Sequence, residues 1–186
     1  MKNDKRIYLD LEYIYPGMTA DSGRPTARDR RQVVQIGAIL FDNDKGKEEA
    51  SFNVLTRPAY AKQLPPFFVE LTGITHEDLD REGVDFPRGF QKFVEFCRDR
   101  PIWTFDKDQE VLQQNCGYFG LDFSLSDFIR VKAKLSEWGI DPDKYSSGTL
   151  YRAAGVDMSG HIHNALHDVR SMAAAVYKWE NSGQDK

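Results

Sequence analysis

An excess of basic charge is missing from this sequence. Its 25 Lys and Arg stand against 29 Asp and Glu, leaving a formal net charge of −4, which excludes a protein that holds nucleic acid or anionic membrane by bulk positive charge. Long apolar runs are missing too. The strongest candidates are broken by Asp10, Glu12 or Gly37, well short of the ~18 residues that cross a bilayer. The only two cysteines, Cys97 and Cys116, form no paired-cysteine motif, so a disulfide framework and a cysteine-based zinc site are both excluded. Both fall in helical apolar patterns and are expected to be reduced core residues of a cytoplasmic protein. The charged start, residues 1–6, leads into a strand-like run with two carboxylates and no small-residue cleavage site, which argues against secretion. Internal repeats, low-complexity tracts and a glycine-rich phosphate-gripping loop are all absent.

The composition is that of a packed domain. Apolar residues make up 40% of the chain, with 12 Phe, 8 Tyr and 3 Trp, and charged residues 29%. At 186 residues the length suits one domain, with its core over about residues 7–179.

Residues 7–15 (IYLDLEYIY) alternate with period two, so that Tyr8, Asp10 and Glu12 share one face of a strand and Ile7, Leu9 and Leu11 the other. Residues 16–31 carry Arg24, Arg28, Arg30 and Arg31 among Gly, Pro, Ser and Thr and read as a surface loop. Residues 33–42 and 50–56 are β-branched and aromatic runs joined by a turn at residues 43–46, which completes a three-strand meander. After a proline-bounded connection, residues 66–71 and 75–79 predict short helices flanking Gly73, the second capped by Thr75 with Asp78 at its third position. Residues 86–100 place Phe86, Phe90, Phe93, Val94 and Cys97 on one helical stripe. A buried strand at residues 101–105 and a helix over residues 108–119 follow. The spacing predicts further helices over residues 126–138, stopped by Gly139, and over residues 147–154. A last helix over about residues 164–179 turns Leu166, Val169, Ala173, Val176 and Tyr177 inward. The expected class is α/β, a mixed sheet with an antiparallel meander extended by further strands and with helices on its faces.

Three clusters of carboxylates need an account. Asp10 and Glu12 sit on one face at the middle of a very apolar strand, where burial and mutual repulsion both disfavour charge; a basic partner, or an edge position with that face in water, would compensate. Residues 160–170 (GHIHNALHDVR) hold three His and Asp168, at a spacing that fits no standard zinc motif. Taken singly, His163 reads as a helix-start residue and Asp168 as a helix surface charge. Residues 103–108 (WTFDKD) deliver Asp106 and Asp108 to a helix start, where acids commonly cap and complement the dipole.

Taken together and in this order, the clusters resemble the motifs of the DEDDh 3′–5′ exonucleases, a family with a ribonuclease-H-like fold. Asp10 and Glu12 match its Asp-x-Glu. Asp108, with Val111 and Leu112 behind it, matches its second acidic motif, with Asp106 as the competitor for that role. His163 and Asp168 match its His-x-x-x-x-Asp. Residues 33–41 (VVQIGAILF) resemble the family's second strand and residues 71–75 (LTGIT) its loop over the active site, so the resemblance spans about residues 7–177. Departures are the long Arg-rich stretch between Glu12 and Gln35 and Tyr13 where a small hydroxyl residue is often found. Residues 103–116 come closest to the Eri-type exoribonuclease branch.

The resemblance implies a metal-dependent 3′–5′ exonuclease that releases nucleoside 5′-monophosphates from single-stranded RNA or DNA. Two divalent ions, Mg²⁺ or Mn²⁺, would be held by Asp10, Glu12, Asp108 and Asp168, with His163 as general base. Arg24, Arg28, Arg30 and Arg31 are candidate phosphate contacts, alongside a solvated charged loop as the other reading. Tyr13 and Phe105 are candidate contacts to the terminal nucleotide. The competing class is a non-catalytic nucleic-acid-binding scaffold of the same fold, and all five catalytic positions being filled argues against it.

Overall fold

The alternating run around Asp10 becomes β1 (Lys5–Ile14). In the computed structural model, which describes residues 4–15, 30–61, 63–125 and 127–181, β1 lies inside the sheet. β2 (Gln32–Asp42) pairs antiparallel with β1, and β3 (Lys47–Arg57) pairs antiparallel with β2. Two short helices follow, α1 (Pro66–Thr72) and α2 (His76–Glu82). The Thr75 hydroxyl accepts from the Asp78 N–H while the Asp78 carboxylate accepts from the Thr75 N–H, the reciprocal cap the sequence anticipates. β4 (Val84–Asp85) then pairs parallel with β3 and leads into α3 (Phe86–Cys97). β5 (Ile102–Thr104) runs parallel to the other side of β1, and α4 (Asp108–Tyr118) follows. β6 (Phe128–Arg130) pairs parallel with β5. Next come α5 (Val131–Lys134), α6 (Leu150–Ala153) and the long terminal α7 (Ala165–Asn181). The strand order is β4-β3-β2-β1-β5-β6.

Period two in β1 decides which helices cover which face. Ile7, Leu9 and Leu11 meet Phe86, Phe90, Phe93 and Cys97 of α3 and Val111, Leu112 and Cys116 of α4. Tyr8, with Ile39 and Phe41 of β2 and Trp103 of β5, meets Val169, Met172, Ala173 and Val176 of α7. Helices therefore lie on both faces, as the class requires. A third cluster of Ile14, Val34, Phe68 and Leu79 ties α1 and α2 to the end of the sheet. Truncating one of the fully buried rings, such as Phe93, costs ~3–5 kcal/mol. Cys97 and Cys116 are both buried and free, and burial pushes both thiols above their ordinary range. Among the described residues no helix is long and apolar enough to cross a membrane.

One segment folds otherwise than its spacing suggests. The helix expected over residues 126–138 is instead β6, the single turn of α5, and a 3-10 turn over Leu135–Trp138. The reason is visible in Phe128 and Ile129. As strand neighbours they point to opposite faces, Phe128 into the α3–α4 core and Ile129 into the α7 core, and the Asp127 carbonyl accepts from the Ile102 N–H of β5 at 3.1 Å. In α7, Val169, Ala173 and Val176 are buried as expected. Leu166 and Tyr177 pack only at the margin, and His167, Ser171, Met172 and Ala175 take up the rest of the buried stripe.

Candidate active site

Neither compensation that would make Asp10 and Glu12 ordinary is present. β1 is flanked by β2 and β5, so it is no edge strand. Both side chains are buried, and neither is ion-paired with a Lys or Arg among the described residues. The β1–β2 register slips between Glu12 and Tyr13, and such a bulge re-aims the residues beside it. Gly37 of β2 stands opposite Asp10. A Cβ there would lie 2.6–2.7 Å from atoms of Ala165 and the Leu166 nitrogen, so this glycine lets the start of α7 cross closely over β2 beside Asp10.

Asp108 reaches the same place from β5. The β1–β5 pairing ends at Leu9 and Thr104. Beyond it the backbone amides of Asp108, Asp106 and Leu11 favour the charged form of the Asp108 carboxylate. Asp106 also lines the cavity but is half-buried, whereas Asp108 is buried.

The third approach is the turn into α7. His163 takes a left-handed backbone (φ 69°), and its backbone amide favours the charged form of the Asp168 carboxylate. Asn164 then caps the helix, its Oδ1 accepting from Leu166 and His167. The turn is fixed to the sheet by Gln35, whose Oε1 accepts from the Ala165 N–H at 3.0 Å while its Nε2 donates to Asn53 at 2.9 Å.

The three approaches enclose a cavity of about 210 Å³ lined by Asp10, Glu12, Tyr13, Phe105, Asp106, Lys107, Asp108, Ser147, His163 and Asp168. Its four innermost carboxylates are 2–8% exposed. Ligand atoms of Glu12, His163 and Asp168 lie within 4.8 Å of one another, close enough to share a cation. Burial first, then the charges of Asp108, Asp168 and Glu12, hold Asp10 well above the carboxylate range. Burial and the charges of Asp168 and Asp108 push Glu12 up to about 8. Burial raises Asp108 and Asp168 to about 7 against the hydrogen bonds that oppose it. Asp168 Oδ1 is buried with no hydrogen-bond partner. Burial, then the neighbouring His161, lowers the His163 imidazole below its ordinary value.

The three histidines separate. His161 Nε2 contacts the Leu71 carbonyl at 3.2 Å, tying the turn to the end of α1, and His167 packs under Gly160 and edge-on to Tyr151. Only His163 faces the carboxylates, so no three-histidine zinc site forms. The contact with Leu71 also sets the start of the LTGIT segment beside the turn, where a second cavity of about 460 Å³ shares His163 and is walled by Phe67 and Leu71.

Of the residues proposed to touch substrate, Tyr13 and Phe105 line the first cavity. Arg30 and Arg31 lie off it, Arg30 stacked on Tyr60 and Arg31 held through its carbonyl by Asn115. Arg24 and Arg28 fall outside the described residues.

Ser147 escaped the sequence reading. Its hydroxyl donates to Asp168 Oδ2 at 3.4 Å and lowers Asp10 by hydrogen bonding. Gly148 next to it lies so close that a Cβ would press into the Asp168 carboxylate. The only signal was a Ser-Gly pair, which reads equally as a loop. Gly37 did carry one, since an isolated glycine inside a strand marks a close backbone approach.

The exonuclease family of the RNase T type matches residues 7–176. The rat protein 3′-5′ exoribonuclease 1 is 24% identical over 187 residues, covering 89% of this chain and 51% of that protein. The human protein of the same name is 21% identical over 185 residues, covering 89% and 50%. The chain spans about half the length of these curated relatives. Among solved structures, the nuclease domain of 3′hExo, a DEDDh family member bound to rAMP, superposes with a TM-score of 0.82 at 18% identity, over 97% of this chain and 94% of that one. Escherichia coli exonuclease I in complex with a dA16 oligonucleotide superposes at 0.71 and 17% identity, over 97% and 41%.

Proposed function

The chain belongs to the RNase T family of exonucleases, and from that premise we propose that it is a divalent-metal-dependent 3′–5′ exonuclease acting on single-stranded RNA or DNA. One observation carries the reading: four buried carboxylates share a cavity at the middle of the sheet with no basic side chain paired to any of them among the described residues. Such a cluster is stable when a cation balances it. The donors are nearly all carboxylate oxygens, which suits Mg²⁺ or Mn²⁺ better than zinc. The unpartnered Asp168 Oδ1 supports the fit.

Asp10, Glu12, Asp108 and Asp168 would hold two ions. When bound, such ions supply activation of a water and stabilisation of the leaving 3′ oxygen. His163, near neutral pH in its unprotonated form, accepts the proton of the attacking water. The new P–O bond forms as the P–O3′ bond breaks, and the terminal nucleotide departs as a 5′-monophosphate. Ser147 orients Asp168, while Tyr13 and Phe105 wall the space for the terminal sugar and base. The curated relatives are exoribonucleases by name, which makes RNA the first substrate to try.

The test is digestion of 5′-labelled single-stranded RNA and DNA with Mg²⁺, Mn²⁺ or EDTA. The expected result is metal-dependent shortening from the 3′ end with mononucleotide release, abolished in Asp10→Ala and slowed ~10²- to 10⁴-fold in folded His163→Ala. No shortening with either metal, cleavage that persists in EDTA, or full activity in either variant contradicts the proposal.

A further inference from the structure

At the end of α4 opposite Asp108, Arg30 lies against two tyrosines. Its guanidinium carbon is 5.1 Å from the Tyr60 ring centroid and 5.2 Å from that of Tyr118, and it donates to Tyr60 Oη at 3.3 Å. The rings themselves meet edge to face at 5.6 Å. Arg30 is exposed, with no carboxylate partner among the described residues, and Tyr60 is 41% exposed. The Tyr118 hydroxyl is buried without a hydrogen-bond partner, so that ring backs the cluster.

The cluster is fixed rather than loose. Gln32 Oε1 accepts from the backbone N–H groups of Tyr60 and Ala61 at 2.6 and 3.0 Å. Asn115, buried in α4, donates to the Arg31 and Val111 carbonyls and accepts from the Val33 N–H. It also stands in line with the site. α4 begins at Asp108 in the cavity and ends at Tyr118 in the cluster, a rise of ~15 Å, or roughly four stacked nucleotides and fewer extended ones. Between them, the charge of Arg31 acts on both Tyr13 and Tyr118.

We propose that Arg30, Tyr60 and Tyr118 form a sequence-tolerant subsite for single-stranded nucleic acid upstream of the scissile nucleotide. A base stacks on the open face of Tyr60, and Arg30, preset by the two rings, holds a phosphate while Arg31 neutralises the backbone in between. This rests on the exonuclease reading and deepens it: the net charge of −4 leaves strand holding to local features of this kind.

The experiment compares wild type, Tyr60→Ala, Tyr60→Phe and Arg30→Gln on a 12-nucleotide single strand and on the p-nitrophenyl ester of thymidine 5′-monophosphate, which reaches only the cavity. Binding of the labelled 12-mer by the same proteins is followed by fluorescence anisotropy in Ca²⁺ at several salt concentrations. For Tyr60→Ala the expected result is a KM and a Kd for the 12-mer raised about fivefold or more, with ester hydrolysis unchanged. Tyr60→Phe, which keeps the ring, restores binding, and Arg30→Gln reduces the salt slope by about one. Equal losses on 12-mer and ester, or unchanged 12-mer binding, overturn the subsite. If wild type cleaves neither substrate the nuclease reading fails, and the anisotropy series still decides on the subsite by itself.

Discussion

Replacing Gly37 with alanine tests whether the close crossing of α7 over β2 is what assembles the site. The added methyl would lie 2.6 Å from the Ala165 carbonyl carbon and 2.7 Å from Ala165 Cβ and the Leu166 nitrogen. Ordinary carbon contacts begin near ~3.5 Å, so the first turn of α7 has to recede by roughly 0.8 Å. The obstructing atoms are mostly backbone, and no rotamer change relieves them. The overpacking costs ~1–3 kcal/mol, a fall in Tm of about 3–10 °C for a chain of this size. It outweighs the small gain from stiffening the unfolded chain. The same movement stretches the 3.0 Å bond from the Ala165 N–H to Gln35 and shifts His163 and Asp168 relative to Asp10, and misplacement on that scale lowers kcat by about 10²-fold. Thermal unfolding and steady-state hydrolysis of a nucleoside p-nitrophenyl phosphate measure both effects. Gly117→Ala, in α4 with nothing within 4 Å of the new methyl, is the control and should be neutral or slightly stabilising. Wild-type Tm and kcat in Gly37→Ala would refute the idea that this contact sets the position of α7.

Two more outcomes follow from the carboxylates. Because Glu12 is raised to about 8 and Asp108 and Asp168 to about 7, protonation favours the folded state. That contribution is complete below the ordinary carboxylate range and is lost as pH rises through about 7 to 8. Metal-free protein should therefore lose Tm between about pH 5 and 8.5, and millimolar Mn²⁺ should flatten the slope. Asp10→Asn should raise the metal-free Tm at pH 8 while removing activity, and a Tm independent of pH and metal would sink the account. Ser147→Ala should lower kcat about tenfold with little change in Tm or in KM, since the hydroxyl orients Asp168 and Asp10 rather than touching substrate; a fully active variant would remove it from the site.

How far each part could be read in advance depended on the range of the interaction behind it. Local patterns transferred well: the period-two run that became β1, the Thr75–Asp78 cap, the Phe stripe of α3 and the order of the acidic motifs. Residues 126–138 failed because adjacent Phe128 and Ile129 fit a helix or a strand equally well until β5 offers them a partner. The two-residue β4 has too little sequence to carry a period and exists through its pairing with Thr56 and Arg57.

For the site, the chain alone established that Asp10 and Glu12 share a strand face, because backbone geometry fixes such neighbours within a few residues. Folding decided the rest. That β1 is central, that no Lys or Arg is ion-paired to its acids among the described residues, and that Ser147, Gly148 and Gln35 brace α7 above them all depend on segments distant in sequence meeting in space. Burial and charge balance are sums over those meetings, and no single stretch of the chain contains them.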